Sequence, residues 1–177
     1  MEEAFSQQLK EEKLELPAGQ FALFMNSMYA VDAYVRDYFR KAVLDALLAE
    51  KLPVTVFGEG WEKYSCGDEH SLRREPAVPF ALSFERIAKA HVLLNVSPIF
   101  NRGMHDRVPA GMANHAVVLT DENPYLRRTF TDGKELLFYS LEKPDTLFEQ
   151  AERALTDVRL REKIAASAYE TFEREYT

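Results

Sequence analysis

His105-Asp106-Arg107 stands a few residues after Asn101-Arg102-Gly103 and directly before a helical pattern. Residues of these types at that spacing suit the binding of an anion. The first turn of a helix offers unpaired N–H groups and partial positive charge, and a phosphate is well held there. Gly103 lets the backbone approach a ligand closely. Arg107 can add a bidentate contact to phosphate oxygens. His105 is a candidate acid–base group or phosphate donor. A second reading of the same residues makes Asp106 the helix cap and Arg107 the partner of a surface carboxylate.

Other polar residues punctuate the chain just after apolar runs. Gly58-Glu59-Gly60-Trp61 follows one such run. Its Gly-x-Gly is either a ligand-facing turn or a plain strand end, because position 63 is Lys and the dinucleotide fingerprint is incomplete. Trp61 either stacks on a base or seals the edge of the core. Ser97-Pro98 follows a second run, Thr120-Asp121 closes a third, and Tyr139-Ser140 a fourth. His70, His91 and His115 lack metal-ligand spacing, Cys66 has no partner thiol, and no metal site or cofactor is expected. There is no phosphate-loop motif, no Gly-x-Ser-x-Gly elbow and no Asp-x-Asp pair. Asp32, Arg36 and Arg40 share a helix face and read as a surface ion-pair network, worth little in stability.

The elements that must carry these residues are legible from periodicity. Val31, Val35, Phe39, Val43 and Leu47 make a helical stripe over about 28–50. Residues 53–58, 91–97, 116–120 and 135–139 are short β-branched or nearly continuous apolar runs, as expected of buried strands. Helices are predicted from Ser83 as N-cap, over 106–114, over 125–130, from Pro144 and from Asp157. Residues 62–79 read as a polar loop. Strands alternating with helices imply an α/β, Rossmann-like three-layer sandwich with a parallel sheet of about four strands. The division expected is a helical extension over 1–50, packed on a core domain over 51–177. In such a sheet, ligands bind beyond the carboxyl ends of the strands, and that edge carries the Gly, His, Asp and Arg residues named above.

Composition bounds the remaining choices. The chain has 177 residues, 46% of them hydrophobic and 29% charged, as in an ordinary globular protein. A net charge of −7 repels nucleic acid and anionic membranes, yet 22 Lys and Arg leave room for a local basic pocket. One cysteine permits no internal disulfide, which fits a cytoplasmic location. No apolar run approaches the roughly 18–20 residues of a membrane span, and the acidic start lacks a signal-peptide pattern.

The order of these pieces resembles the spore-maturation, CgeB-like glycosyltransferases of bacteria. The resemblance rests on Val54 to Glu62, on Leu94-Asn95-Val96-Ser97-Pro98, and on Gly103-Met104-His105-Asp106-Arg107-Val108. It continues through Val117 to Asp121, Asp132-Gly133-Lys134-Glu135, Phe138-Tyr139 and the tail from Ile164 to Thr177. Asp32-x-x-x-Arg36 fits as well. It covers roughly residues 20–177. It implies the C-terminal half of a GT-B transferase, the domain that binds a nucleotide-sugar donor without a bound metal. The acceptor would be held mainly by a separate N-terminal domain. By the same resemblance Gly58, Glu59, Gly60 and Trp61 line the donor pocket, with His105, Asp106 and Arg107 near the diphosphate. Ser97, Gly103, Thr120 and Asp121 border the cleft.

Two positions depart from the pattern. Ala110 stands where related transferases often carry a ribose-binding glutamate, and His115 replaces the glycine usual before the third strand. The expected function is therefore a donor-binding glycosyltransferase domain. The alternative is a non-catalytic Rossmann-like module that has lost donor binding. Another phosphate-binding α/β protein is a third reading, weakened by the missing dinucleotide fingerprint.

Overall fold

Val117-Val118-Leu119 has no polar side chain to turn toward water, so both faces of that strand must be covered. In the computed structural model, which describes residues 2–177, it is the middle strand of a parallel sheet. The strands are β1 (Val54–Phe57), β2 (Leu72–Glu75), β3 (Val92–Asn95), β4 (Val117–Asp121) and β5 (Leu137–Tyr139). They form two parallel sheets, β1-β2 and β3-β4-β5. In register, Leu94 faces Leu119 and Asn95 faces Thr120 across β3 and β4, while Thr120 faces Phe138 across β4 and β5.

The helices are α1 (Glu2–Glu11), α2 (Ala18–Ser27), α3 (Tyr29–Ala49), α4 (Phe80–Ile87), α5 (Arg107–Ala113), α6 (Pro124–Thr129), α7 (Pro144–Thr156) and α8 (Val158–Tyr176). Side chains alternate across a strand, and the core divides accordingly. Val117, Leu119, Leu137 and Tyr139 pack with α3 and α7, through residues such as Val43 and Leu147. Val118, Leu136 and Phe138 pack with Val108 and Met112 of α5, and with Leu126 of α6. Helix α8 serves both faces, with Ile164 on the first and Ala168 on the second. A third cluster joins Leu44 and Leu48 of α3 to Leu72 of β2. This is the expected α/β sandwich, with helices on both faces of a parallel sheet.

Several boundaries differ from the sequence reading. Residues 62–79 are not one polar loop. They hold a 3-10 turn at Trp61–Lys63 and the strand β2, which pairs with β1 from Val54–Leu72 to Phe57–Glu75. Among the described residues the parallel strands accordingly number five, split between two sheets. Helix α4 begins at Phe80 behind Pro79, so Ser83 is not its cap, and its hydroxyl donates back to the Phe80 carbonyl at 2.6 Å. Residues 18–27 form a helix of their own, ended at Met28. The stripe of α3 is buried only at Val43 and Leu47, and Val31 is exposed.

The chain divides into two compact units, Met1–Tyr38 and Phe39–Thr177. In the first, Phe5 stacks on Phe24 at 4.0 Å and Asp32 pairs with Arg36 at 2.7 Å. The second holds all the strands and the three core clusters. Among the described residues no helix is long and apolar enough to cross a membrane.

Candidate functional site

All strands within each sheet run parallel, so their carboxyl ends share an edge, and the loops leaving that edge carry the candidate residues. Contacts gather these residues into three groups.

The first group lies where β3 and β4 end. Asn95 is fully buried in an otherwise apolar strand, and its amide donates to Thr120 Oγ1 at 3.0 Å and Ser97 Oγ at 3.2 Å. The Ser97 N–H donates to Asp121 Oδ1 at 2.7 Å, and the Tyr139 hydroxyl donates to the Asn95 carbonyl at 2.9 Å. Asp121 is 3% exposed. Burial pushes its carboxyl up to about 6, while the Ser97 N–H pulls the other way. Ser97 and Thr120 are thus joined through Asn95, and Asp121 is tied to them through the Ser97 N–H. A carboxyl held near 6 at a strand end is the kind of perturbed group that collects at functional sites.

The second group opens α5. Asp106 occupies the N-cap position, but its side chain makes no capping bond and instead lies against His105 Nδ1. The cap expected of Asp106 is absent because the carboxylate has turned to the imidazole. His105 Nδ1 also lies 3.3 Å from the Arg107 N–H. A protonated Nδ1 serves the carboxylate and a bare one serves the amide. Arg107 is half-buried rather than a surface partner. Desolvation depresses its pKa, the positive charge of Arg40 on α3 depresses it further, and Asp106 opposes both. Arg40 therefore contributes to the electrostatic environment of Arg107. Gly103 faces the Phe100 ring, which lies 3.1 Å from where a β-carbon would stand. Ala110 sits one turn into α5, and its carbonyl accepts from the Asn114 amide at 2.8 Å.

The third group follows β1. Gly58 and Gly60 have φ of 119° and 90°, a region that favours glycine. Gly58 N–H donates to the Glu75 carbonyl of β2 at 3.2 Å, and Gly60 N–H to Glu62 Oε2 at 2.8 Å. Glu59 is exposed. Trp61 packs against the third core cluster, and its indole N–H donates to the Phe57 carbonyl at 3.2 Å. The ring therefore seals the core edge on one side.

Two supporting residues, Asn123 and Arg74, escaped the sequence reading. Asn123 caps α6 by accepting from the Leu126 N–H at 2.8 Å, and it donates to the Phe100 and Gly103 carbonyls at 2.7 and 3.2 Å. It fixes the loop before α5. Arg74 of β2 binds the loop after β1. The available signals were an asparagine directly before Pro124, which marks a cap, and a polar Asn95 inside an apolar run. Nothing in the sequence near Arg74 sets it apart. Among the described residues, no three His, Cys, Asp or Glu side chains are grouped to hold a metal ion.

Solved structures share this fold. The chain is similar to Anabaena HepE, crystallised with UDP-glucose, at 12% identity and a TM-score of 0.64 over 76% of this chain and 40% of that one. It is similar to TarM at 12% identity and a TM-score of 0.55, covering 79% of this chain and 29% of that one. It also resembles the C-terminal domain of LpcC from Francisella tularensis, a group 1 glycosyl transferase, at 11% identity and a TM-score of 0.50. There it covers 81% of this chain and 79% of that one. The chain thus spans about two fifths of the HepE chain and most of an isolated C-terminal domain. No curated protein sequence matches. These likenesses agree with the fold of a GT-B C-terminal half. A family model described as glycosyl transferase-like matches residues 36–177, and the chain belongs to that family.

Proposed function

We propose that this chain is the donor-binding domain of a CgeB-like GT-B glycosyltransferase. It takes a nucleotide-diphosphate sugar and works with an acceptor-binding N-terminal half. The observation that carries this reading is the half-buried Arg107 at the carboxyl edge, with the charge of Arg40 close by. Two neighbouring guanidiniums raise each other's energy, and a diphosphate relieves that repulsion while accepting bidentate bonds. The family match and the UDP-glucose bound to HepE support a nucleotide sugar as the anion's source.

The chemistry follows from charge. In sugar transfer the bond between the anomeric carbon and the diphosphate oxygen breaks, an acceptor oxygen takes its place, and the acceptor loses a proton. Negative charge grows on the departing diphosphate. Arg107 and Arg40 meet that charge in a partly desolvated site, where fixed charges act most strongly. No bound metal is needed if these guanidiniums supply the positive charge. Gly58–Trp61 forms the pocket wall after β1, with Ser97, Thr120 and Asp121 at the floor and Gly103, His105 and Asp106 beside the diphosphate. A chain with one cysteine suits the cytoplasm, where nucleotide sugars would be drawn.

Ala110 favours a second reading. A methyl group one turn into α5 gives the ribose hydroxyls nothing to bond, so a non-catalytic module that has lost its donor also fits. Calorimetry with UDP and UDP-glucose separates the two. The donor-binding reading expects measurable heat, and binding weakened about ten- to a hundredfold by Arg107→Ala, the usual range for losing a charged hydrogen bond. No heat at millimolar ligand would overturn it and leave the non-catalytic module.

A further inference from the structure

Arg74 is the most heavily engaged side chain of the loop region. Its Nε donates to the Trp61 carbonyl at 3.0 Å, and Nη2 donates to the Tyr64 carbonyl at 2.8 Å. Nη1 and Nη2 grip Glu69 at 2.6 and 3.1 Å. Trp61 and Tyr64 bracket the 3-10 turn that closes the loop after β1. One planar guanidinium therefore ties both ends of that turn to the segment leading into β2. The platform is firm, because Arg74 pairs in register with Val56 of β1. The Arg74 bond holds the Glu69 carboxyl down at about 2, so the pair stays charged at neutral pH. A second tether runs from the Tyr64 hydroxyl to Asp45 on α3, and Lys41 pairs with the same carboxylate at 2.7 Å.

Such a fastening exceeds what a surface turn requires. Exposed ion pairs contribute little stability, and Glu69 is exposed while Arg74 is half-buried. What the fastening does is remove freedom from Gly58-Glu59-Gly60-Trp61, whose glycines would otherwise sample many conformations. We infer that Arg74 is a positioning residue: it holds the Gly58–Trp61 loop in its ligand-receiving shape before a nucleotide sugar arrives. A loop ordered in advance loses less entropy on binding. The inference rests on the donor-site reading for its function, but not for the order of the loop.

The chain offers a direct probe, since Trp61 is its only tryptophan. Trp61 emission, its quenching by acrylamide, far-UV circular dichroism and UDP affinity are measured in wild type, Arg74→Ala, Arg74→Lys and Glu69→Gln. In Arg74→Ala the emission moves to longer wavelength and quenching rises while the dichroism is kept. UDP binds roughly tenfold more weakly, a loss of preorganisation rather than of contact. Arg74→Lys falls between, because an ammonium group lacks the planar fork that spans two carbonyls and a carboxylate. Unchanged Trp61 emission and quenching in a folded Arg74→Ala protein overturns the positioning role. Should that variant fail to fold, unchanged quenching in Glu69→Gln overturns it instead. A loosened loop with undiminished UDP affinity overturns the link to binding. A loosened loop in a series where wild type itself ignores UDP supports the positioning role and counts against the donor-site reading.

Discussion

Asp121 carries the clearest pH signature of any single residue at the strand ends. Burial raises its carboxyl to about 6, against an unfolded value near 4. Between these values the folded protein keeps a proton that the unfolded chain has released. Stability therefore falls as pH rises through that window, and the loss is complete above it. Asp121→Asn keeps an oxygen to accept from Ser97 and cannot ionise. Its stability relative to wild type should rise between pH 4 and pH 7 by up to about 3 kcal/mol. Urea unfolding across that range checks this, and a constant difference would contradict it. His115 is a second residue with a readable cost. It stands at φ 57°, where glycine is preferred, and its ring stacks on Tyr169 at 4.2 Å. The strain costs about 1–2 kcal/mol and the stack returns about 0.5–1.5 kcal/mol. Glycine at 115 should therefore be nearly neutral in wild type and stabilising by about 1 kcal/mol in a Tyr169→Ala background. Equal effects in the two backgrounds, measured by thermal unfolding, would sink that account. The departure from glycine was visible in the sequence, whereas the ring that compensates it lies 54 residues away along the chain.

At the scale of elements, α5 meets the sheet through Gly111. A β-carbon there would stand 2.4 Å from Val118 Cγ2 and 3.0 Å from Leu93 Cδ2. Gly111→Ala gains roughly 1 kcal/mol of helix propensity. It must also push a stiff, fully buried valine, and overpacking of this kind costs about 1–3 kcal/mol. The clash should win, with a lower urea midpoint and an unchanged slope; a raised midpoint would show that α5 can slide. Legibility follows the same physics. Strands β3, β4 and β5 announced themselves because burial on both faces demands unbroken apolar runs. Strand β2 did not, since Leu72 is the one apolar residue of Leu72-Arg73-Arg74-Glu75 and the strand is held by backbone pairing to β1. The carboxyl-edge loops were legible from their position after each run. The bonds that shape them were not, because Asn95, Asn123 and Arg74 act across separations that spacing along the chain cannot reveal.

At the scale of the whole molecule, the strands and all three core clusters come from residues 39–177. A fragment of those residues should unfold cooperatively and retain the UDP response of the full chain; a fragment without a cooperative transition would show that the first unit is required for folding. The family match begins at Arg36, close to the same boundary. The loops that leave the carboxyl ends of these strands carry the candidate residues, with Arg107 half-buried among them. On the proposed reading, this edge receives a nucleotide sugar. The most direct test is a titration of isotopically labelled protein with UDP-glucose, followed by NMR. Saturable shifts of the amides of Gly58–Trp61, Gly103–Arg107 and Thr120–Asp121 are expected, greatly reduced in Arg107→Ala. Shifts absent at millimolar ligand, or confined to residues 2–38, would contradict it.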